Sequence, residues 1–407
     1  VKKDIIILGG GLVGLTMGLA LARHDFTVAI IDRMDYGSPS PDGRASAIAK
    51  ASGQLFQVID FWDKIKDKVQ PIHHIRVCDG RPRPRLRFDS PDPQNQEEAM
   101  GYMIENHILL DRLIKAAQAH PQLELLGLQA VADVDRGAAG VTVTLKPRKE
   151  DSATQEVKAQ LLISCEGRNS TMRHQAGILS TSWRYDHKAL VTILEHEADH
   201  HATAWEDFQG ESLMALLPLQ GRRTALVWAN PERISAGLDK LSQEALTKAI
   251  EAKVADRLGT ITLAAPVLFY PLSFQHAQSY IDHRLALVGD SAHAIHPVAG
   301  QGYNIGVRDI AALVEVLHDS RLLGLDLGSR EVLQQYQIWR RPDVLSSCIA
   351  MDGLVRLFAI DRGPIRPLRR LGMGIMDRLP AVKNLFRQEA MGLAGDVPKL
   401  LTGKFLT

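Results

Sequence analysis

The sequence predicts an α/β fold, in which a Rossmann-like domain is joined to a second domain on a mixed or antiparallel β-sheet, with a C-terminal helical segment. Three observations predict it. A glycine-rich turn sits between an apolar run and a helical run at the start of the chain. A second strand-turn-helix signature lies far downstream, at residues 285–304. Between them are short runs with the alternation and β-branched content of strands. With 407 residues and 45% hydrophobic side chains, the chain suits two domains or one large α/β unit with a sizeable core.

The elements follow in order. Asp4 to Leu8 is a short apolar strand, and Gly9, Gly11 and Gly14 follow it in G-x-G-x-x-G spacing. The first glycine makes the tight turn, the second lets backbone approach a pyrophosphate, and the third lets helix pack on strand. Gly18 extends the pattern by one helical turn. The helix is expected to run to about His24, with Thr27 to Ile31 as the next strand. Asp32 ends that strand where a carboxylate binds adenosine ribose hydroxyls, and Arg33 beside it is grouped with the cofactor residues. This motif alone does not separate FAD from NAD. Asp42-Gly43-Arg44 opens the apolar run Ala45 to Ala49, and the Arg44 guanidinium there pairs with a pyrophosphate, lies near a ring, or is a solvated surface group. Leu161 to Arg173 forms a third strand-turn-helix unit, with Glu166-Gly167 at the turn and Ser170 placed to cap the helix.

Lys188 to Glu195, Ala202 to Phe208, Leu213 to Leu217 and Thr224 to Ala229 are expected as strands of the second sheet. Arg81 to Gln96, rich in Pro, Arg and Asp, is expected as a long mobile loop at its edge. Leu285 to Val288 is a buried strand ending at Gly289-Asp290, where an acidic side chain can accept from a ribityl hydroxyl. After Pro297, Gly300-Gln301-Gly302 is a turn, and a helical run begins near Ile305. A helix starting there aims free N–H groups and roughly half a positive charge forward. That would stabilise the negative N1–C2 edge of a reduced flavin. An extended FAD needs a second anchor for its ribityl chain and ring, so this distant turn favours FAD. The scattered motifs imply a discontinuous FAD domain at 1–71, 98–180 and 274–407, with 72–97 and 181–273 forming the substrate sheet.

A net charge of +1 argues against nonspecific nucleic-acid binding as the main activity. Three widely spaced cysteines, Cys78, Cys165 and Cys348, suggest reduced thiols and a cytoplasmic setting, with Cys165 a buried structural residue rather than a reactive thiol. No signal segment precedes the first strand, and no apolar run is long enough to span a bilayer. The pairs His73-His74, His200-His201 and His293 with His296 lack partners at a recognised ligand spacing, so no metal site is expected. His293 and His296 suit pocket lining or hydrogen bonding, and either is a candidate to relay a proton. From Leu354 onward, basic residues outnumber acids, and Ile365, Leu368, Leu371, Ile375 and Leu379 form one helical stripe. Such a helix either lies on an anionic membrane surface or packs on the protein with its basic face solvated.

Taken together, GGGLVG with Asp32, DGRASAIA at 42–49, GYMIEN at 101–106, GDSAHAIHPVAGQGYNIGVRD at 289–309, Trp339-Arg340-Arg341 and MGLAGDVPKLL near the end resemble the aromatic-hydroxylase group of FAD-dependent monooxygenases. Within that group, over nearly the whole length, the chain resembles the ubiquinone-biosynthesis hydroxylases. The resemblance implies that Gly9, Gly11, Gly14 and Asp32 hold the ADP half of FAD. It places Arg44 and Asn106 at the middle of the cofactor and Asp290 at the ribityl chain. Gly302, Tyr303 and Asn304 would present N–H groups to the flavin ring, and Pro297 would lie beside the substrate. Pro297 and His296 are the candidate catalytic residues. Where the family has Asp-Gly at a motif touching FAD and NAD(P)H, this chain has Glu166-Gly167, with a carboxylate reaching about one methylene further.

The implied reaction is hydroxylation of the aromatic ring of a polyprenylated phenol or quinone precursor, with NAD(P)H reducing FAD and O₂ forming a flavin C4a-hydroperoxide. The cofactor supplies the difficult chemistry, so no nucleophile-base-acid constellation is required. The absence of a second G-x-G-x-x-G implies that NAD(P)H docks transiently. Two other readings share the motifs: an FAD-dependent reductase of isoprenoid double bonds, and a non-catalytic flavin-bearing subunit of a biosynthetic complex. Peripheral contact with the inner membrane face, membership of a biosynthetic complex and homo-oligomerisation are all compatible with the sequence.

Overall fold

The computed structural model describes residues 2–38, 43–80, 84–92, 95, 98–146, 154–294, 300–359 and 379–407. Ile5–Leu8, Val28–Ile31 and Leu161–Ser164 are apolar on both faces, the pattern of strands covered from both sides. They form the centre of a six-stranded sheet ordered Ile281–Asp282, Leu285–Leu287, Leu161–Ser164, Ile5–Leu8, Val28–Ile31, Leu123–Leu126. Its pairings are parallel except at the Ile281–Asp282 edge. The helix Leu12–Ala22 is buried from Gly14 to Ala22, because it lies between this sheet and the helices Asn106–Gln118 and Gln301–Leu322. Gly14 is required there, since a Cβ at that position would fall onto the Gly9 carbonyl oxygen.

The second sheet has nine strands, and its main path runs from His293–Ala294 through Leu268–Ala277, Ser180–His196, Arg223–Pro231, Ser212–Leu219, Thr203–Gln209 and His74–Asp79 to Leu86–Asp89. Most pairs are antiparallel, but Thr203–Gln209 runs parallel to His74–Asp79, so the sheet is mixed. The helix Gln243–Leu258 covers one face, and Ser242 caps it by accepting from the Ala245 N–H. Leu246, Ile250, Val254 and Leu258 recur every four residues and are buried against Leu190, Leu194, Leu226 and Trp228. Each such burial stabilises the layer by about 1.5–3 kcal/mol.

The opposite face is divided. Register pairs Ala189 with Ala229, Val191 with Val227 and Ile193 with Ala225. At one end Ile193, Leu219 and Ala225 pack on Ile72 and Met103, with Ala45 and Ala47 against them. At the other end, among the described residues, Ala189, Ala229 and Leu272 pack with the partly buried Tyr185, Val191, Leu213 and Val227. Two three-stranded sheets complete the fold. One joins Ala45–Ala49, Gly101–Glu105 and Gln70–Ile72, and the other joins Val131–Gly137, Gly140–Leu145 and Gln155–Ala159.

Several boundaries differ from the sequence expectations. Within Arg81 to Gln96, Leu86–Asp89 is an edge strand rather than loop, because Leu86 and Phe88 alternate inward against Val77 and Phe208. Residues 81–83, 93–94 and 96–97 of that stretch lie outside the described residues. The strand expected at Lys188 to Glu195 extends back to Ser180, its polar first half paired with Leu268–Ala277 across an irregularity between Arg184 and Lys188. The helix expected near Ile305 begins at Gln301, since Gly300 adopts the left-handed region at φ 61° and starts it one turn early. Among the described residues, no helix is long and apolar enough to cross a membrane. The amphipathic stripe from Ile365 to Ile375 lies outside them.

Candidate active site

The N-terminal turn brings Gly9, Gly11 and Gly14 to the carboxyl end of Ile5–Leu8, at the start of the helix Leu12–Ala22. No side chain caps this helix, and a Cβ built on Gly11 would meet nothing within 4 Å. Its first N–H groups are left without a side-chain cap, and there is room at Gly11 for a ligand to approach them. Asp32, at the end of the neighbouring strand, accepts from the Gly10 N–H and from the Met34 N–H at 2.7 Å, which fixes its carboxylate beside the glycine turn. Arg33 next to it is exposed.

A second open helix end lies beside the first. Gln301, Gly302 and Tyr303 open the helix Gln301–Leu322, which no side chain caps, and a Cβ on Gly302 would also meet nothing within 4 Å. Asn304 contributes its side chain instead. Its Oδ1 accepts from the Ala49 N–H and the Ser52 hydroxyl, both at 2.9 Å, and its Nδ2 donates to the Ala47 carbonyl at 2.9 Å. This amide therefore fastens the helix to the strand Ala45–Ala49. Thr16 donates its single hydroxyl proton to the Leu12 carbonyl, so the Tyr303 hydroxyl is the donor in its 2.8 Å bond to Thr16. The two helix ends are thus tied directly together.

Gly289 and Asp290 close the cleft at the end of Leu285–Leu287. The Asp290 side chain is solvent-exposed, yet dehydration by surrounding protein pushes its carboxyl above the usual range, opposed by His293, Arg168 and Arg44. Solvent thus reaches a carboxyl that protein surrounds, which suits a group inside a cleft. Arg44 places its guanidinium 5.4 Å from the Tyr270 ring centroid, and its carbonyl accepts from the Asn106 N–H at 2.9 Å. Asn106 is buried, with Oδ1 accepting from the Ser46 hydroxyl at 2.6 Å.

Glu166 sits at the same end of the sheet, but its carboxylate is already engaged. It accepts from Ser164 at 2.9 Å, Ser170 at 2.8 Å, the Met172 N–H at 3.0 Å and the Thr171 hydroxyl. Ser170 caps the helix Thr171–Gln175, as its position suggests, by accepting from the Arg173 N–H. The extra methylene of Glu over Asp lets the carboxylate fold back onto its own turn.

Pro297 and His296, the candidate catalytic residues, lie outside the described residues, as does Asp42. His293 is buried and bonded to Asp309 at 2.5 Å. Among the described residues, no group of three His, Cys, Asp or Glu side chains is arranged to hold a metal ion. Cys78, Cys165 and Cys348 are buried, and burial raises each thiol. Sequence reasoning missed Arg168, which joins the cleft to the second sheet by donating to the Ser273 hydroxyl. Asp309 and Arg340 lie within the motifs at 289–309 and 339–341, where their pairing carries no sequence signal. A buried Asp on a helix is visible in sequence only as one polar residue on an apolar face.

The donor set fits FAD. One uncapped helix end and Asp32 suit a pyrophosphate and an adenosine ribose, the adjacent uncapped end suits a flavin edge that becomes negative on reduction, and Asp290 suits a ribityl hydroxyl.

Comparison with known proteins agrees with this geometry. A family profile described as FAD binding domain matches residues 2–344. Ubiquinone hydroxylase UbiL of Rhodospirillum rubrum is 39% identical over 406 residues, covering 98% of this chain and 92% of that protein. The 3-demethoxyubiquinol 3-hydroxylase of Escherichia coli is 32% identical over 396 residues, covering 96% and 98%. Among solved structures, p-nitrophenol 4-monooxygenase PnpA of Pseudomonas putida superposes with a TM-score of 0.79 at 17% identity, covering 97% of this chain and 100% of that one, which shows a shared fold. With the cleft, the family profile and these full-length relatives in agreement, the chain belongs to the FAD-dependent ubiquinone-biosynthesis hydroxylases.

Proposed function

We propose that this chain uses NAD(P)H and O₂ to hydroxylate the aromatic ring of a polyprenylated phenol on the way to ubiquinone. The observation that carries the reading is the half-covered apolar sheet face of Tyr185, Val191, Leu213 and Val227. Tyr270, opposite Ala189 of this layer in the strand register, stands under the Arg44 guanidinium. An apolar wall beside a cofactor cleft suits an aromatic ring with a hydrocarbon tail.

Bound FAD supplies hydride acceptance and oxygen activation, and the protein supplies binding, orientation and exclusion of water. In this reading Gly9, Gly11, Gly14 and Asp32 bind the ADP half. Arg44 and Asn106 position the middle of the cofactor, while Gly289 and Asp290 hold the ribityl chain. The N–H groups at Gly302 and Tyr303 stabilise negative charge at the ring, and Asn304 keeps that helix end in place. NAD(P)H docks transiently against the same cleft.

The test is oxidation of NADH and NADPH by the FAD-loaded protein with and without a short-chain prenylated phenol, with the product mass measured. Stimulated oxidation and a product heavier by one oxygen are expected. A product heavier by two hydrogens would instead make the protein a double-bond reductase, and no stimulation by several such phenols would make it an assembly subunit.

The substrate's tail also favours a membrane surface or a biosynthetic complex as the working location. The exposed Ile338, Leu345 and Ile349 share one face of the helix Arg330–Ala359, and the sequence then becomes basic from Arg356 to Arg387. Flotation with anionic vesicles should carry the full chain and fail for a variant with all three changed to Ser. Equal flotation of both, or of neither, removes this membrane contact.

A further inference from the structure

Behind the Gly289-Asp290 turn lies a buried ion relay. Asp309, on the helix Gln301–Leu322, is completely buried. Arg340 Nε donates to its Oδ1 at 2.8 Å, and His293 Nε2 donates to its Oδ2 at 2.5 Å. The same Oδ2 accepts from the Gly289 N–H at 3.1 Å. Arg340, itself fully buried, also pairs with Asp343, which pairs with Arg308 at 3.0 Å. The relay thus crosses from the helix Arg330–Ala359 through the helix Gln301–Leu322 to the end of the strand Leu285–Leu287.

Burying a carboxylate costs several kcal/mol before its partners compensate, and packed apolar side chains would hold two helices together as well. The Gly289 N–H is what gives the charge a purpose. Gly289 has φ 62° and no side chain to fix it, and on its other side a Cβ would lie 3.3 Å from Val13. With no side chain of its own, Gly289 depends on its peptide contacts for position, and its backbone leads directly into Asp290. One carboxylate oxygen pins that peptide and is itself pinned by His293. Arg340 holds the other oxygen; burial pushes the carboxyl up, and the charges of His293 and Arg340 outweigh it and hold the carboxyl below its usual range.

We propose that Asp309, fixed between Arg340 and His293, is a positioning residue that aims Asp290 at the ribityl chain of FAD. The proposal rests on the cleft being the FAD site. It is tested by titrating FAD into apoprotein and following flavin fluorescence for the wild type, Asp290→Asn, Asp309→Asn and the double variant. Each single substitution should weaken FAD affinity about tenfold, and the double variant should be little weaker than the worse single one, because Asp309 acts through Asp290. A purely structural Asp309 would instead give additive losses. Additivity, or unchanged affinity in folded Asp309→Asn protein, overturns the proposal. If Asp309→Asn does not fold, Arg340→Lys, which keeps the charge and loses the planar donor fork, enters the same cycle with the same criteria. Failure of the wild type to bind FAD would overturn the cofactor site itself, a result separate from an uncoupled cycle in a flavin-binding protein.

Discussion

The two glycine turns that border the cleft present equivalent features, each an uncapped helix N-terminus, and are held in opposite ways. The turn at Gly9–Gly14 is held by shape: backbone lies against backbone so closely that the Gly14 position has no room for a methyl group. The second turn is held by polar bonds at Gly289 and at Asn304, with the Asn304 amide fastened to Ala47, Ala49 and Ser52 and the Gly289 N–H fastened to Asp309. The first turn should therefore respond to added volume and the second to lost hydrogen bonds or charge. The first fixes a pyrophosphate, whose charge is constant. The second faces a flavin whose charge changes during turnover, and adjustable polar contacts suit that task.

The sharpest way to break this comparison is Gly14→Ala. Overpacking against the Gly9 carbonyl should cost about 3 kcal/mol and abolish FAD binding, read by thermal unfolding and flavin retention. Unfolding within about 0.5 kcal/mol of wild type would show that the turn is not held by shape. Next in size is Asn304→Ala, which strands the Ala49 N–H and the Ala47 carbonyl and should cost about 2 kcal/mol, with Asn304→Asp recovering part of it through the retained acceptor. Asp290→Asn should weaken FAD binding about tenfold without lowering the unfolding midpoint of the apoprotein, since its carboxyl is exposed in the cleft. A lowered midpoint would mean that Asp290 supports the fold rather than the cofactor.

The last effect is confined to acid pH. Burial depresses His276 from 6.5 to about 4, with His293 and Arg341 adding to the shift. The unfolded chain therefore takes up this proton first. Stability from this group is complete above about 6.5, declines as pH falls, and is fully lost below about 4. His276→Gln, which can keep a bond to the Tyr280 hydroxyl, should flatten the fall in unfolding midpoint across that window. An unchanged slope would place the acid sensitivity elsewhere.

The shape-held turn was legible in the sequence because glycine spacing reports backbone packing directly. Ser170 was legible because it acts within its own turn, and Asp32 because it ends the strand next to the glycine turn, where it accepts from the Gly10 N–H. The charge-held turn was only half legible. Gly289, Asp290 and Gly300 carry their own local signal, but Asp309 and Arg340 act across the fold, and Arg340 lies 31 residues from its partner. Glu166 shows the converse: its place in a motif suggests cofactor contact, while its hydrogen bonds go to its own turn. The edge strand Leu86–Asp89 was hidden by the Pro and Arg residues around it, because composition outweighed a short alternating run.

The most direct test of the central claim is product analysis after turnover under isotopically heavy O₂ with NAD(P)H, FAD and a short-chain prenylated phenol. The account predicts a single labelled oxygen on the aromatic ring and none when the label is carried by water. A ring oxygen derived from water, or NAD(P)H consumed with no ring oxygen at all, would contradict it.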